Sequence, residues 1–69
     1  MPAMNILLNG DSRTLPAATT LLELLQSEGL AERRVAVEIN GRIIPRSQHA
    51  QTRLNDGDQV EIVHALGGG

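Results

Sequence analysis

The sequence predicts an α+β fold in which one short helix covers one face of a sheet of four or five strands. Three observations carry that expectation. Apolar residues alternate with a period of two in separate runs, Asn-Gly pairs stand where two of those runs end, and one leucine stretch with helical spacing has its own start and stop signals. At 69 residues there is room for one domain and one core. A chain this short buries only about 60% of its unfolded surface, so modest stability is expected.

Met4, Ile6 and Leu8 alternate with Asn5, Leu7 and Asn9, the pattern of a strand with one buried face. Asn9-Gly10 supplies the positive φ angles of a tight hairpin, and Ser12 to Leu15 returns antiparallel until Pro16 ends the run. Thr20 and Glu23 have the spacing of a capping box, which starts a helix at Leu21. Leu21, Leu22, Leu24 and Leu25 form its apolar stripe, while Glu23, Gln26, Ser27 and Glu28 face water. Gly29 is placed as its left-handed stop, with Leu30 folding back on Leu25.

The hairpin logic then repeats. Val35, Val37 and Ile39 share a face, Asn40-Gly41 turns, and Ile43-Ile44 begins the return, which Pro45 confines to an edge or loop. Residues 46–55 are polar and irregular, with one helical turn around Ser47 to Ala50. Asp56-Gly57-Asp58 is another turn, and Val60 and Ile62 alternate with Glu61 and Val63 in the last strand. One helix with four or five short strands in so few residues is the economy of the ubiquitin-like β-grasp fold, although the pattern alone admits others. The domain is expected over 1–64, with a flexible tail over 65–69.

Composition removes several function classes. The chain has no Phe, Tyr or Trp and a formal net charge of −2, so it has neither stacking platforms nor a basic surface for nucleic acid. It has no cysteine, which excludes disulfides, thiolate chemistry and Cys-rich zinc sites. The segment MPAMNILLNG lacks the basic start of a signal peptide, and no apolar run is long enough to span a membrane; a cytoplasmic protein is expected.

The remaining polar residues are absorbed by ordinary structure. His49 and His64 lack metal-ligand or catalytic companions and are read as surface or partly packed imidazoles. Asp56 and Asp58 make a turn, Arg33-Arg34 is a solvated pair, and no glycine-rich phosphate loop is present, so no cofactor is expected to be bound.

Gly67, Gly68 and Gly69 have no such explanation. A strip without Cβ atoms can pass through a channel too narrow for other residues and deliver a terminal carboxylate into another protein's active site. From Ala65 to Gly69 the extended chain reaches about 17 Å. The carboxylate is unreactive as an electrophile until activated, and an adenylating partner would convert it to an acyl-phosphate anhydride.

MNILLNG, TTLLELL, VAVEINGRIIPR and DGDQVEIVHALGGG, in this order and spacing, resemble the ThiS-type sulfur carriers of thiamin thiazole biosynthesis from Met4 onward. The most telling pieces are Ile44-Pro45-Arg46, Gly57-Asp58 and the glycine end. The resemblance implies a β-grasp fold with the final strand central. It implies a Gly69 carboxylate that a ThiF-type enzyme adenylates with ATP, followed by a thiocarboxylate whose sulfur goes to a ThiG-type thiazole synthase. A cysteine-free carrier must take that sulfur from a persulfide on another protein. Gly68 is the second residue of the diglycine; Gly67 and Leu66 help present it. Leu7, Val63 and Ala65 are docking candidates near the root of the tail.

The small subunit of molybdopterin synthase shares the fold, the diglycine end and the thiocarboxylate. A ubiquitin-like modifier would instead form amide bonds with lysines, and this chain, whose six basic residues are all arginine, cannot build lysine-linked chains on itself. A non-covalent binding module is the alternative of a different class.

Overall fold

The computed structural model describes residues 2–65. The elements follow one another as β1 (Ala3–Leu8), β2 (Asp11–Pro16), α1 (Leu21–Ser27), β3 (Val35–Ile39), β4 (Arg42–Ile43), a 3-10 turn (Arg46–Gln51) and β5 (Gln59–His64). They build one five-stranded sheet in the order β2-β1-β5-β3-β4. β5 runs parallel to β1 and antiparallel to β3, so the sheet is mixed and its last strand in sequence is its centre. This is the predicted β-grasp arrangement, with α1 on one face.

Both Asn-Gly pairs act as expected. Asn9 and Gly10 have φ of 50° and 86°, and Asn40 and Gly41 have 53° and 83°. Two left-handed residues in succession give the turn whose twist matches that of the strands, so Leu8 pairs with Asp11 and Ile39 with Arg42.

The helix is fixed at both ends by local chemistry. The Glu23 amide donates to Thr20 Oγ1 at 3.1 Å, and the Thr20 amide donates to Glu23 Oε1 at 2.8 Å, closing the capping box. Gly29, at φ 73°, lets its own amide reach the Gln26 carbonyl and the Leu30 amide reach the Leu25 carbonyl at 2.8 Å. Leu21, Leu24 and Leu25 are buried and Leu22 is half-buried. Glu28 departs from its expected place in water: it accepts from Arg13 Nη1 at 2.8 Å and ties the helix end to β2. Both side chains remain partly exposed, so this pair contributes at most about 1 kcal/mol.

These leucines lie on Met4, Ile6 and Leu8 of β1, Val37 of β3, and Val60 and Ile62 of β5, with Leu54 from the long return. The core is entirely aliphatic, so its cohesion comes from many small burials, each worth about 1.5–3 kcal/mol for a fully enclosed side chain.

The irregular return is better ordered than its polarity suggests. Its helical turn runs one residue further at each end than predicted, over Arg46–Gln51. It packs against α1, while the Leu21 amide donates to the Thr52 carbonyl at 2.7 Å and the Leu54 amide to the Thr19 carbonyl at 2.9 Å. This contact corrects the reading of His49 as a surface or partly packed residue: it is 5% exposed, with Nε2 3.0 Å from the Ile44 carbonyl oxygen. The aspartate turn forms and does more than turn. Asp58 is buried and accepts from Asn40 Nδ2 (3.0 Å) and the Asn55 amide (2.8 Å), and Asp56 accepts from the Asn5 amide at 2.7 Å.

Two stability predictions follow from the backbone. Thr20→Ala removes half of the capping box and should lower the urea-unfolding free energy by about 1 kcal/mol. Ala18 holds φ 70°, a conformation that costs an L-residue with a Cβ atom. Ala18→Gly should therefore raise stability by roughly 0.5–1 kcal/mol in the same assay.

Candidate functional site

The site is the end of β5, from which the chain continues into the glycines. The Ala65 amide donates to the Arg34 carbonyl at 2.9 Å, and the Asn40 amide donates to the Gln59 carbonyl at 2.8 Å. With Val35 opposite His64, these bonds set the parity of the strand: odd residues of β5 bond to β3, and Val60, Ile62 and His64 direct their backbone groups toward β1.

β1 is too short to meet all of them. It pairs only Leu7 with Gln59 and Leu8 with Val60. Asn9 extends the pairing through its backbone and its side chain. Its amide donates to the Val60 carbonyl at 2.9 Å, its Oδ1 accepts from the Ile62 amide at 2.8 Å, and its Nδ2 donates to the Ile62 carbonyl at 3.1 Å. The carboxamide thus stands in for one more peptide unit of β1 while the backbone turns away. Beyond it, the His64 N–H and C=O face an edge with no strand among the described residues.

Three predicted docking residues can be located. Leu7 is 40% exposed and Val63 59% exposed, both on the sheet face opposite α1, and Ala65 is exposed at the strand end. The register separates the first two. Leu7 lies beside Gln59, whereas Val63 lies beside Ala36, four residues further along β5. At strand rise this is about 13 Å. The apolar surface nearest the root of the tail is Val63 with Ala36 and Ala65; Leu7 belongs to the other end of β5. Leu66, Gly67, Gly68 and Gly69 lie outside the described residues.

Sequence reasoning missed Ile43, which is 69% exposed on the same open face opposite Glu38, and missed the long-range role of Asn9. Asn9 carried a turn signal only. Its second function depends on β5 lying next to β1, which no local pattern indicates. A groove of about 320 Å³ between Asn40, Arg42, Arg53 and Asp58 lies at the Gln59 end of β5, away from the tail. Among the described residues no group of His, Asp or Glu has the arrangement of a metal site, and no helix is long and apolar enough to cross a membrane.

The ThiS family model matches residues 6–69, from the second half of β1 through the glycines. The chain belongs to the ThiS family. It is 36% identical over 66 residues to the sulfur carrier protein ThiS of Escherichia coli, a match covering 96% of this chain and 100% of that protein. Its fold matches the crystal structure of the thiamine biosynthesis protein ThiS from Geobacter metallireducens with a TM-score of 0.82 and 35% identity, over 96% of this chain and 100% of that one. It is also 46% identical over 66 residues to a thiazole synthase of Paramagnetospirillum magneticum, covering 96% of this chain but 20% of that protein. A thiazole synthase of Magnetococcus marinus gives 42% identity, and the chain again spans about a fifth of its length.

The side-chain latch is open to test. Asn9→Gly keeps the positive φ but removes the carboxamide, leaving the backbone groups of Ile62 without their partner. It should cost about 1–3 kcal/mol. Hydrogen exchange should accelerate at the Ile62 amide more than at Val37.

Proposed function

We propose that this ThiS-family chain is a sulfur carrier whose Gly69 carboxylate is adenylated, converted to a thiocarboxylate and used to supply sulfur for the thiazole of thiamin. The observation that carries this reading is the geometry of β5. The central strand, paired with β3 up to His64 and with β1 at its start, gains one further bond from Ala65 to Arg34, and Leu66 to Gly69 follow from that base. The family match supports the reading because it includes those glycines.

The chemistry assigned to the tail is acyl transfer. The carboxylate attacks the α-phosphorus of ATP on a ThiF-type partner and pyrophosphate leaves. The terminal sulfur of a protein persulfide then attacks the acyl carbon and expels AMP. A second thiol cleaves the resulting S–S bond, forming a disulfide with the donor and releasing the thiocarboxylate. The chain itself contributes a substrate rather than a catalytic group, and ATP belongs to the partner. Glycine suits this task because the acyl carbon must be reached closely by both nucleotide and sulfur, and no side chain obstructs either approach.

A ThiG-type thiazole synthase is the proposed recipient. Two proteins named thiazole synthase contain a segment similar to this whole domain, and one chain holding both parts favours their acting together. The same relatives favour the thiamin branch over the molybdopterin synthase small subunit and over a ubiquitin-like modifier. Carrier and partners are placed in the cytoplasm on this reading.

Incubation with a ThiF-type enzyme, ATP and a persulfide donor should give the mass gain of one oxygen-to-sulfur exchange, located at Gly69 by fragment mass spectrometry. Deleting Gly68-Gly69 should abolish that gain while leaving the thermal unfolding midpoint unchanged. A non-covalent binding module would keep its function in the truncated form, and that result would sink the proposal.

A further inference from the structure

We propose that Arg33, Arg34 and Arg46 form a cationic collar at the root of the tail, which docks against carboxylates lining the mouth of the adenylating partner's channel. This inference rests on the carrier reading above and adds the chemistry of the partner surface.

The collar is created by tertiary structure. Arg34 accepts the Ala65 amide through its carbonyl at 2.9 Å, so Arg33 and Arg34 stand where the chain leaves the sheet. Arg46 arrives from another segment. The Ile44 amide donates to the Val37 carbonyl at 2.9 Å, which runs the following residues beside β3 toward its Val35 end, and Arg46 Nη2 donates to the Ala31 carbonyl at 3.3 Å. His64, paired with Val35, completes this end of the sheet.

The charge distribution is uneven. The chain carries a formal net charge of −2, yet half of its arginines gather here. The acid at the same end is Glu32 in the adjoining loop; Asp11, beside Leu8, is level with Val60 and two strands away from β5. Glu38 and Glu61 face each other on the open face further down β3 and β5, and Asp56 and Asp58 lie in the turn before β5. Among the described residues the one salt bridge is Arg13 with Glu28, and all three collar arginines are exposed without a carboxylate partner. Folding therefore leaves these guanidiniums without a carboxylate partner at the end of β5, Arg46 alone giving one donor to a carbonyl.

Guanidinium groups bind carboxylates and phosphates through paired N–H donors. Reach decides between those anions. The four residues beyond Ala65 extend about 14 Å, so the reacting carboxylate and its nucleotide lie deeper than a side chain at the root extends. The collar meets the channel mouth and the nucleotide does not touch it. Charges at such a rim steer encounter and set salt dependence, and leave the chemical step alone.

The test uses the full chain and the ThiF-type enzyme, with two separate readouts: the dissociation constant without ATP, and sulfur incorporation at saturating enzyme with ATP and persulfide donor. Arg33→Glu combined with Arg34→Glu should weaken binding by about tenfold or more, and should flatten the dependence of binding on salt between about 0.05 M and 0.5 M. Its sulfur incorporation at saturation should match wild type, and circular dichroism should report unchanged unfolding. Arg42→Glu, at the Asn40-Gly41 end, makes the same change in charge per site and should leave binding unaltered. Binding of the double variant within about twofold of wild type, or an equal loss with Arg42→Glu, overturns the collar. A binding difference as expected with no sulfur gained by the wild type supports the collar and overturns the carrier reading.

Discussion

The pairing of β5 between β1 and β3 is the constraint on which the rest depends. It joins residues more than fifty positions apart, as in the bonds between Asn9 and Ile62, and it brings the two local hairpins into one sheet. Without it β1–β2 and β3–β4 are separate ribbons, and two-stranded ribbons are marginal in water. The leucines of α1 would then have no continuous surface to cover. Because the decisive pairing involves the last strand, most of the native burial is gained only when the chain is complete through His64.

That same pairing divides the molecule by role. One face of the sheet is consumed by the helix and the aliphatic core, and the opposite face remains open with Leu7, Ile43 and Val63 among polar neighbours. β5 ends with Arg34 on one side and, among the described residues, no strand on the other. On the carrier reading the base of the tail must be fixed, since a partner has to find it in one place relative to its docking surface. Central placement supplies that fixity to the strand most in need of it.

The parts of the fold that were legible in the sequence are those governed by neighbours in the chain. The Thr20–Glu23 box, the Gly29 stop and the two Asn-Gly turns appear as read because φ preference and side-chain-to-backbone bonding act over a few residues. The 3-10 turn was placed nearly correctly, but His49 was not: imidazole burial depends on which element covers it, and α1 is more than twenty residues away. Leu7 and Val63 were correctly put on the open face by alternation. Their separation along β5 was hidden, because period fixes face and only pairing fixes register.

The sequence by itself determined the inventory: one capped helix, two hairpins, a final alternating strand, an aliphatic core, and an end in three glycines. It also determined the family, through the order and spacing of its short motifs. Tertiary structure decided what lies beside what. It made the last strand central, turned Asn9 from a loop residue into a substitute peptide unit, and gathered Arg33, Arg34 and Arg46 where the tail departs. The physical reason is the range of the interactions. Turns and caps are settled by groups a few bonds apart, whereas strand order and charge juxtaposition are settled by which apolar faces can be buried together.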